Sequence, residues 1–312
     1  MRRGWAFGLV VGALLAGCDL PVSGAVTTSP AALPRPELKT EAPEGASAEL
    51  TAYYQRIEDS LRARGLLRTD RNPPDAPYYS RDLVRTFLKT AFYEEYSAAA
   101  GQLVSRENAS RLHRFAAPVR LSVEFGPTVS ASKRARDAAT VSRLIQRLSR
   151  ATGHPMTQVA PGSGNLRVFV VNEAERRALA KRLPSIMPGI SRAAQNTVAN
   201  LPATTYCIAL ASDPQGDGTY EQVVAIVRGE HPDLMRKSCL HEEIAQGLGL
   251  ANDYALARPS IFNDDEEFSL LTLYDEHLLT ILYDPRLSPG MRERQARPIV
   301  ETIAGEILGE AL

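Results

Sequence analysis

The stretch from 239 to 253, Cys-Leu-His-Glu-Glu-Ile-Ala-Gln-Gly-Leu-Gly-Leu-Ala-Asn-Asp, constrains this chain more than any other. Leu240, Ile244, Gly247, Leu248 and Ala251 recur at helical spacing and form an apolar stripe. The spacing predicts one helix ending at a glycine. Glu242, Glu243 and Gln246 fall on the other side of it. Two adjacent glutamates with a glutamine one turn later, on a helix buried along its opposite face, point to a functional cleft. A solvated polar face would give the same pattern.

A zinc-peptidase template bears on that choice. H-E-x-x-H sets two ligands one helical turn apart with a general base beside the first, and the long form adds x-x-G-x-x-H. Starting at His241 leaves Ala245 and Ala251 at the other ligand positions and Leu248 at the glycine. Starting at Glu242 fits better: Glu243 takes the base position, Gly249 the turn and Asn252 the third-ligand position. In this register Glu242, Gln246 and Asn252 replace three imidazoles. Ile261 then falls near the Met-turn position, and the helical pattern 271–283 resembles a matrixin closing helix. The segment resembles a metzincin that has lost its nitrogen ligands.

Oxygen donors such as these suit calcium or magnesium better than zinc, and one carboxylate with two amides makes a weak site. No metal is therefore expected at Glu242, Gln246 and Asn252. Without a metal-bound water, the usual route to a hydroxide nucleophile is closed to Glu243. Glu242 and Glu243 as an acid/base pair meet another obstacle, since adjacent helical residues diverge by about 100 degrees. Glu243 stays the candidate base, and Glu242, Gln246, Asn252 and Asp253 are the candidate binding residues. His113, His154, His231 and His277 are scattered and read as surface or loop residues.

The chain opens with a targeting segment. Arg2 and Arg3 precede a short apolar run, and Leu15-Ala16-Gly17-Cys18 has the form of a bacterial lipobox. Residues 1–17 read as a lipoprotein signal peptide with Cys18 as the lipidated residue. That implies anchoring in the cell envelope, facing the periplasm. Residues 18–48, rich in Pro, Ala, Ser and Thr, read as a disordered tether. Residues 49–312 are long enough for one large domain. Removing Arg2 and Arg3 from 36 basic residues leaves 34 against 36 acidic, so nothing favours nucleic acid as a partner. Lipidation of Cys18 leaves Cys207 and Cys239, which in an oxidising compartment are expected to pair. The run 263–267 predicts an exposed acidic loop beside the cleft, followed by an inward-packed Phe268. Asp264 and Asp265 are a weak calcium candidate there.

Periodicity and breakers predict helices over 48–67, 80–97, 138–151, 173–183 and 271–283, and a terminal helix over 299–312. Strands are expected at 118–125, 166–171, 205–211 and 222–227. This order gives an α+β, zincin-like fold, a small twisted sheet packed on the motif-bearing helix plus a C-terminal helical part. Several segments together resemble one bacterial envelope family of unknown function, number 2927: Thr152-Gly153-His154-Pro155, Glu242-Glu243-x-x-Gln246, Leu248-Gly249-Leu250-x-Asn252-Asp253, Phe262-Asn263-Asp264-Asp265 and Leu282-Tyr283-Asp284-Pro285-Arg286. The resemblance implies an envelope location but no activity. The expected function is a non-catalytic binding or scaffolding module for an envelope protein or peptide. The alternatives are an active hydrolase using Glu243 with unusual ligands, and a purely structural lipoprotein.

Overall fold

The computed structural model describes residues 45–310 except Ala100 and Asp264. Cys18, the signal segment and most of the tether lie outside the described residues, as does Asp264. The elements run α1 (Ala46–Ala63), α2 (Ser80–Ala91), β1 (Tyr93–Ala99), β2 (Gln102–Ala109), β3 (Val119–Phe125), α3 (Ala131–Thr152), β4 (Met156–Gln158), β5 (Leu166–Val171), α4 (Glu173–Ile186), α5 (Arg192–Ala199), β6 (Cys207–Ser212), β7 (Gln222–Arg228), α6 (Asp233–Gln246), α7 (Leu273–Tyr283) and α8 (Glu293–Leu308). The fold is α+β. No described helix is long and apolar enough to cross a membrane.

Five strands form one sheet in the order β4-β3-β5-β7-β6. Four run parallel, and β6 closes one edge antiparallel to β7. Helices cover both faces, which is why β5 and β7 are apolar on both sides rather than alternating with polar residues. Val168, Val170, Val223, Ala225 and Val227 face a core shared with α2, α3, α6, α7 and α8. Phe169, Val171, Val224 and Ile226 face a second core closed by α4 and α5. The period of two along each strand divides one apolar run between two cores.

Three differences from the expected elements have local causes. The second helix stops at Ala91, not near 97, and the chain turns into an antiparallel hairpin of β1 and β2. Helix-forming residues such as Glu94, Glu95 and Ala98 are drawn into a strand by pairing with a partner that sequence periodicity does not reveal. Helix α3 begins seven residues before the expected 138, where Ser130 accepts a hydrogen bond from the Lys133 amide. Short, polar α5 was not foreseen, although Ser191 caps it by accepting from the Ala194 amide at 3.1 Å.

Helix α6 lies at the centre. It begins at Asp233, six residues before the motif, and ten of its fourteen residues are buried. Its N-terminal cap residue, Pro232, offers no side-chain acceptor. Glu58 of α1 supplies one, accepting from the Met235 amide at 3.2 Å. Nearby, fully buried Tyr54 sets its ring edge-on to His231 at 4.4 Å. His231 thus lies on a loop, as expected, between β7 and α6, but is buried in the core rather than at the surface. Past the helix, Gly249 holds φ at +127°, and a Cβ there would come within 2.1 Å of the His113 carbonyl oxygen. Only glycine allows the turn at this point.

Candidate functional site

Three attachments fix α6 before its carboxylates are reached. Arg236, fully buried, donates to Asp137 on α3 at 2.6 Å and to Asp233 at 2.8 Å. Cys239 is joined to Cys207 on β6 by a disulfide with Cα atoms 5.9 Å apart, pairing the two cysteines expected to pair. Glu58 holds the first turn. The C-terminal half of the helix then presents Glu242, Glu243 and Gln246 to a cleft of about 1000 Å³.

Residues 205–212 form one wall of the cleft, so the sheet's edge strand runs along it. The hairpin contributes Glu94, Glu95, Tyr96, Leu103 and Ser105 to the cleft's lining. The hairpin is tied across to α5, where the Leu103 amide donates to Thr197 Oγ1 at 2.8 Å and Asn196 donates to the Gly101 carbonyl at 3.0 Å. At its base the Glu95 amide donates to the Ala251 carbonyl at 3.3 Å. The hairpin thus connects the exit of the motif helix to the far side of the cleft.

Seven acidic residues line this space: Glu94, Glu95, Asp213, Glu242, Glu243, Asp253 and Glu266. Among the described lining residues there is no lysine or arginine. His113 is the sole imidazole among them, stacked on Tyr220 at 5.3 Å with Nε2 3.4 Å from Asp213. Glu242 and Glu243, adjacent on the helix, leave it in directions about 100 degrees apart. Glu242 Oε2 lies 3.9 Å from Cys207 Sγ. This is a contact and not a hydrogen bond, because the disulfide sulfur carries no proton.

Glu243 is 4 % exposed, and its Oε2 has no hydrogen-bond partner among the described residues. Burial, then the charges of Glu95 and Asp253, hold its carboxyl well above the usual carboxylate range. Burial raises Glu242 likewise, helped by Asp253, Glu243, Glu266 and Glu95. His241 points elsewhere. It accepts the Leu271 amide at 3.3 Å, and burial followed by Lys237, Arg147 and Arg143 holds its pKa down to about 3.

The residues proposed for binding come together in part. Glu242, Glu243, Gln246 and Asp253 share the cleft, and Gln246 donates to Asp253 at 3.3 Å. Asn252 does not line it. Its side chain is buried and donates to the carbonyls of Lys89 at 3.2 Å and Asp253 at 2.8 Å. A zinc-peptidase donor set beginning at Glu242 therefore does not converge, because the third position, Asn252, is turned into the protein. Among the described residues, one group of three His, Cys, Asp or Glu side chains brings donor atoms within 4.8 Å of one another, namely Cys207, Cys239 and Glu242. Its two sulfurs are bonded to each other and offer no thiolate. Zinc does not fit these residues.

Glu95, Tyr96, Asp213 and Tyr220 were not foreseen in the site. Nothing in their spacing relates them to α6; tertiary pairing brings them there. Past the cleft, Phe268 is buried as expected. Beside it Glu267 meets Arg258 at 2.6 Å and Arg68 at 3.1 Å, so two guanidinium groups offset the crowding of this acidic loop.

Fold and cleft together define a mixed α+β domain whose disulfide-tied central helix floors an acidic channel along an open sheet edge. The chain belongs to the family described as a protein of unknown function (DUF2927), which matches residues 80–302, from α2 into α8. No curated protein matches it.

Proposed function

We propose that this domain is a non-catalytic binding module that takes an extended peptide segment of an envelope partner into the cleft. The observation that carries the reading is the position of β6. It is an edge strand of the sheet, and the residues from 205 to 212 face the cleft along its length. A peptide laid there gains main-chain hydrogen bonds from the edge and side-chain contacts from the floor and hairpin. The zincin-like ancestry suggested by the order of elements agrees with this use of the cleft. Amide hydrogen exchange of residues 207–212 should slow when an extended peptide binds. Binding that leaves those amides unprotected would refute edge pairing.

One observation favours a second reading, a hydrolase with Glu243 as general base. A buried carboxyl with a raised proton affinity is tuned in the direction acid–base chemistry uses. Turnover of peptide substrates that disappears in Glu243→Gln would favour it over binding alone. In either reading the domain is anchored through lipid on Cys18. Cys18→Ala should release the protein from membranes, since one acyl chain and its companions supply the attachment.

A further inference from the structure

We propose that the cleft selects a basic side chain, lysine or arginine, on the bound segment, with Glu243 as its anchoring carboxylate. This rests on the peptide-binding reading and names the chemistry of the partner.

The first support is the one-sided lining, seven acidic residues and no lysine or arginine among the described ones. Such a field draws in cations and repels acidic segments. Acidic clusters are common, however, and the decisive observation is Glu243 itself. Its Oε2 is buried without a hydrogen-bond partner on a helix fixed at three points, so it cannot turn away to find one. A buried acceptor without a donor is costly, and an arriving ammonium or guanidinium group supplies the donor.

Geometry distinguishes an organic cation from a metal ion. Among the described residues, no three carboxylates of the cleft bring oxygens together closely enough to surround one ion; the sole cluster that does involves the bonded sulfurs. Carboxylates spread through about 1000 Å³ suit a cation carrying several donors on a long stem. Tyr96, Leu103, Met187 and Ile190 line the same space and can cover the methylene groups of that stem. The groups acting on Glu243 come from several elements: Glu242 beside it on its own helix, Glu95 with Tyr96 on the hairpin, and Asp253 after α6, while Glu266 acts on Glu242. A bound cation favours their ionised forms, so affinity rises with pH as Glu243 gives up its proton.

The test uses the full chain in detergent and fluorescent Ala-Val-X-Val-Ala peptide amides with X as arginine, lysine, norleucine or glutamate. Arginine and lysine peptides should bind at least about tenfold more tightly than norleucine, with the glutamate peptide weakest. Glu243→Gln should remove most of that preference, the arginine and lysine affinities falling toward that of norleucine, and Asp253→Asn should reduce it in part. The arginine peptide alone should bind more tightly from about pH 5 to about pH 8. Melting curves establish that each variant is folded. Equal binding of the arginine and norleucine peptides would overturn the charge selection while leaving the peptide reading intact. Failure of every peptide to bind would overturn both. Tight zinc, calcium or magnesium binding abolished by Glu243→Gln, with no preference among peptides, would overturn the proposal in favour of a metal site.

Discussion

Glu243 is buried with its Oε2 lacking a donor among the described residues, and this affects stability as well as binding. Its folded-state pKa lies above the ordinary 4.5, so between those two values the folded protein holds a proton that the unfolded chain gives up. The corresponding stability is present in full below about pH 4.5 and is lost as pH rises toward the raised value. Glu243→Gln removes this dependence. The variant should gain on the wild type by about 1 kcal/mol or more at about pH 8 and by little at about pH 5. Urea denaturation at the two pH values measures the difference, and a constant offset would show that the carboxyl is not what titrates. The residues legible at this scale are those the motif helix and its exit carry themselves: Glu242, Glu243, Gln246 and Asp253. Asn252 could not be read correctly, because a helical template projects a third-ligand position without knowing that the Lys89 carbonyl will claim the amide.

Among the elements, α6 and β6 show what a disulfide can do for a site. The bond closes a separation of 32 residues between the cleft's floor and its wall. Chain-entropy reasoning gives roughly 3.5–4 kcal/mol for a loop of that size. Cys207→Ala/Cys239→Ala should lose about that much by denaturant melting and should also weaken peptide binding, since wall and floor would no longer be tied. Both cysteines were legible from their number and the inferred compartment. The central strands were equally legible, since runs such as 166–171 and 222–227 have few other uses. The β1–β2 hairpin was not. Its second strand, Gln-Leu-Val-Ser-Arg-Glu-Asn-Ala, is largely exposed and lacks an apolar alternation, while its first continues the helical composition of α2. What holds it is its partner strand and the side chains of α5, and no local window contains these.

At the scale of the whole molecule, a second set of buried charges joins α4, which closes the second core, to the sheet. Glu173 receives Arg176 at 2.6 Å, Arg177 at 2.8 Å and Arg228 at 2.8 Å, with Arg176 and Arg228 almost fully buried. Burial pushes its carboxyl up, but the three guanidinium groups outweigh burial and leave it at about 2. Here the sign is opposite to that of Glu243: the stability is present above about pH 4.5 and is lost as pH falls toward 2. Glu173→Gln strands two buried arginines and should cost about 3–5 kcal/mol at neutral pH, with a smaller loss in acid. Thermal melting across that range would show it. The contact between Glu58 and the Met235 amide bears on a different matter, the extent of the folding unit. The family match starts at residue 80, yet the side chain that caps the central helix comes from α1, upstream of it. Inheritance and physics thus place the edge of this domain differently. A chain cut at the family boundary would uncover the rings of His231 and Tyr206, which Tyr54 now covers, and leave the first turn of α6 to water.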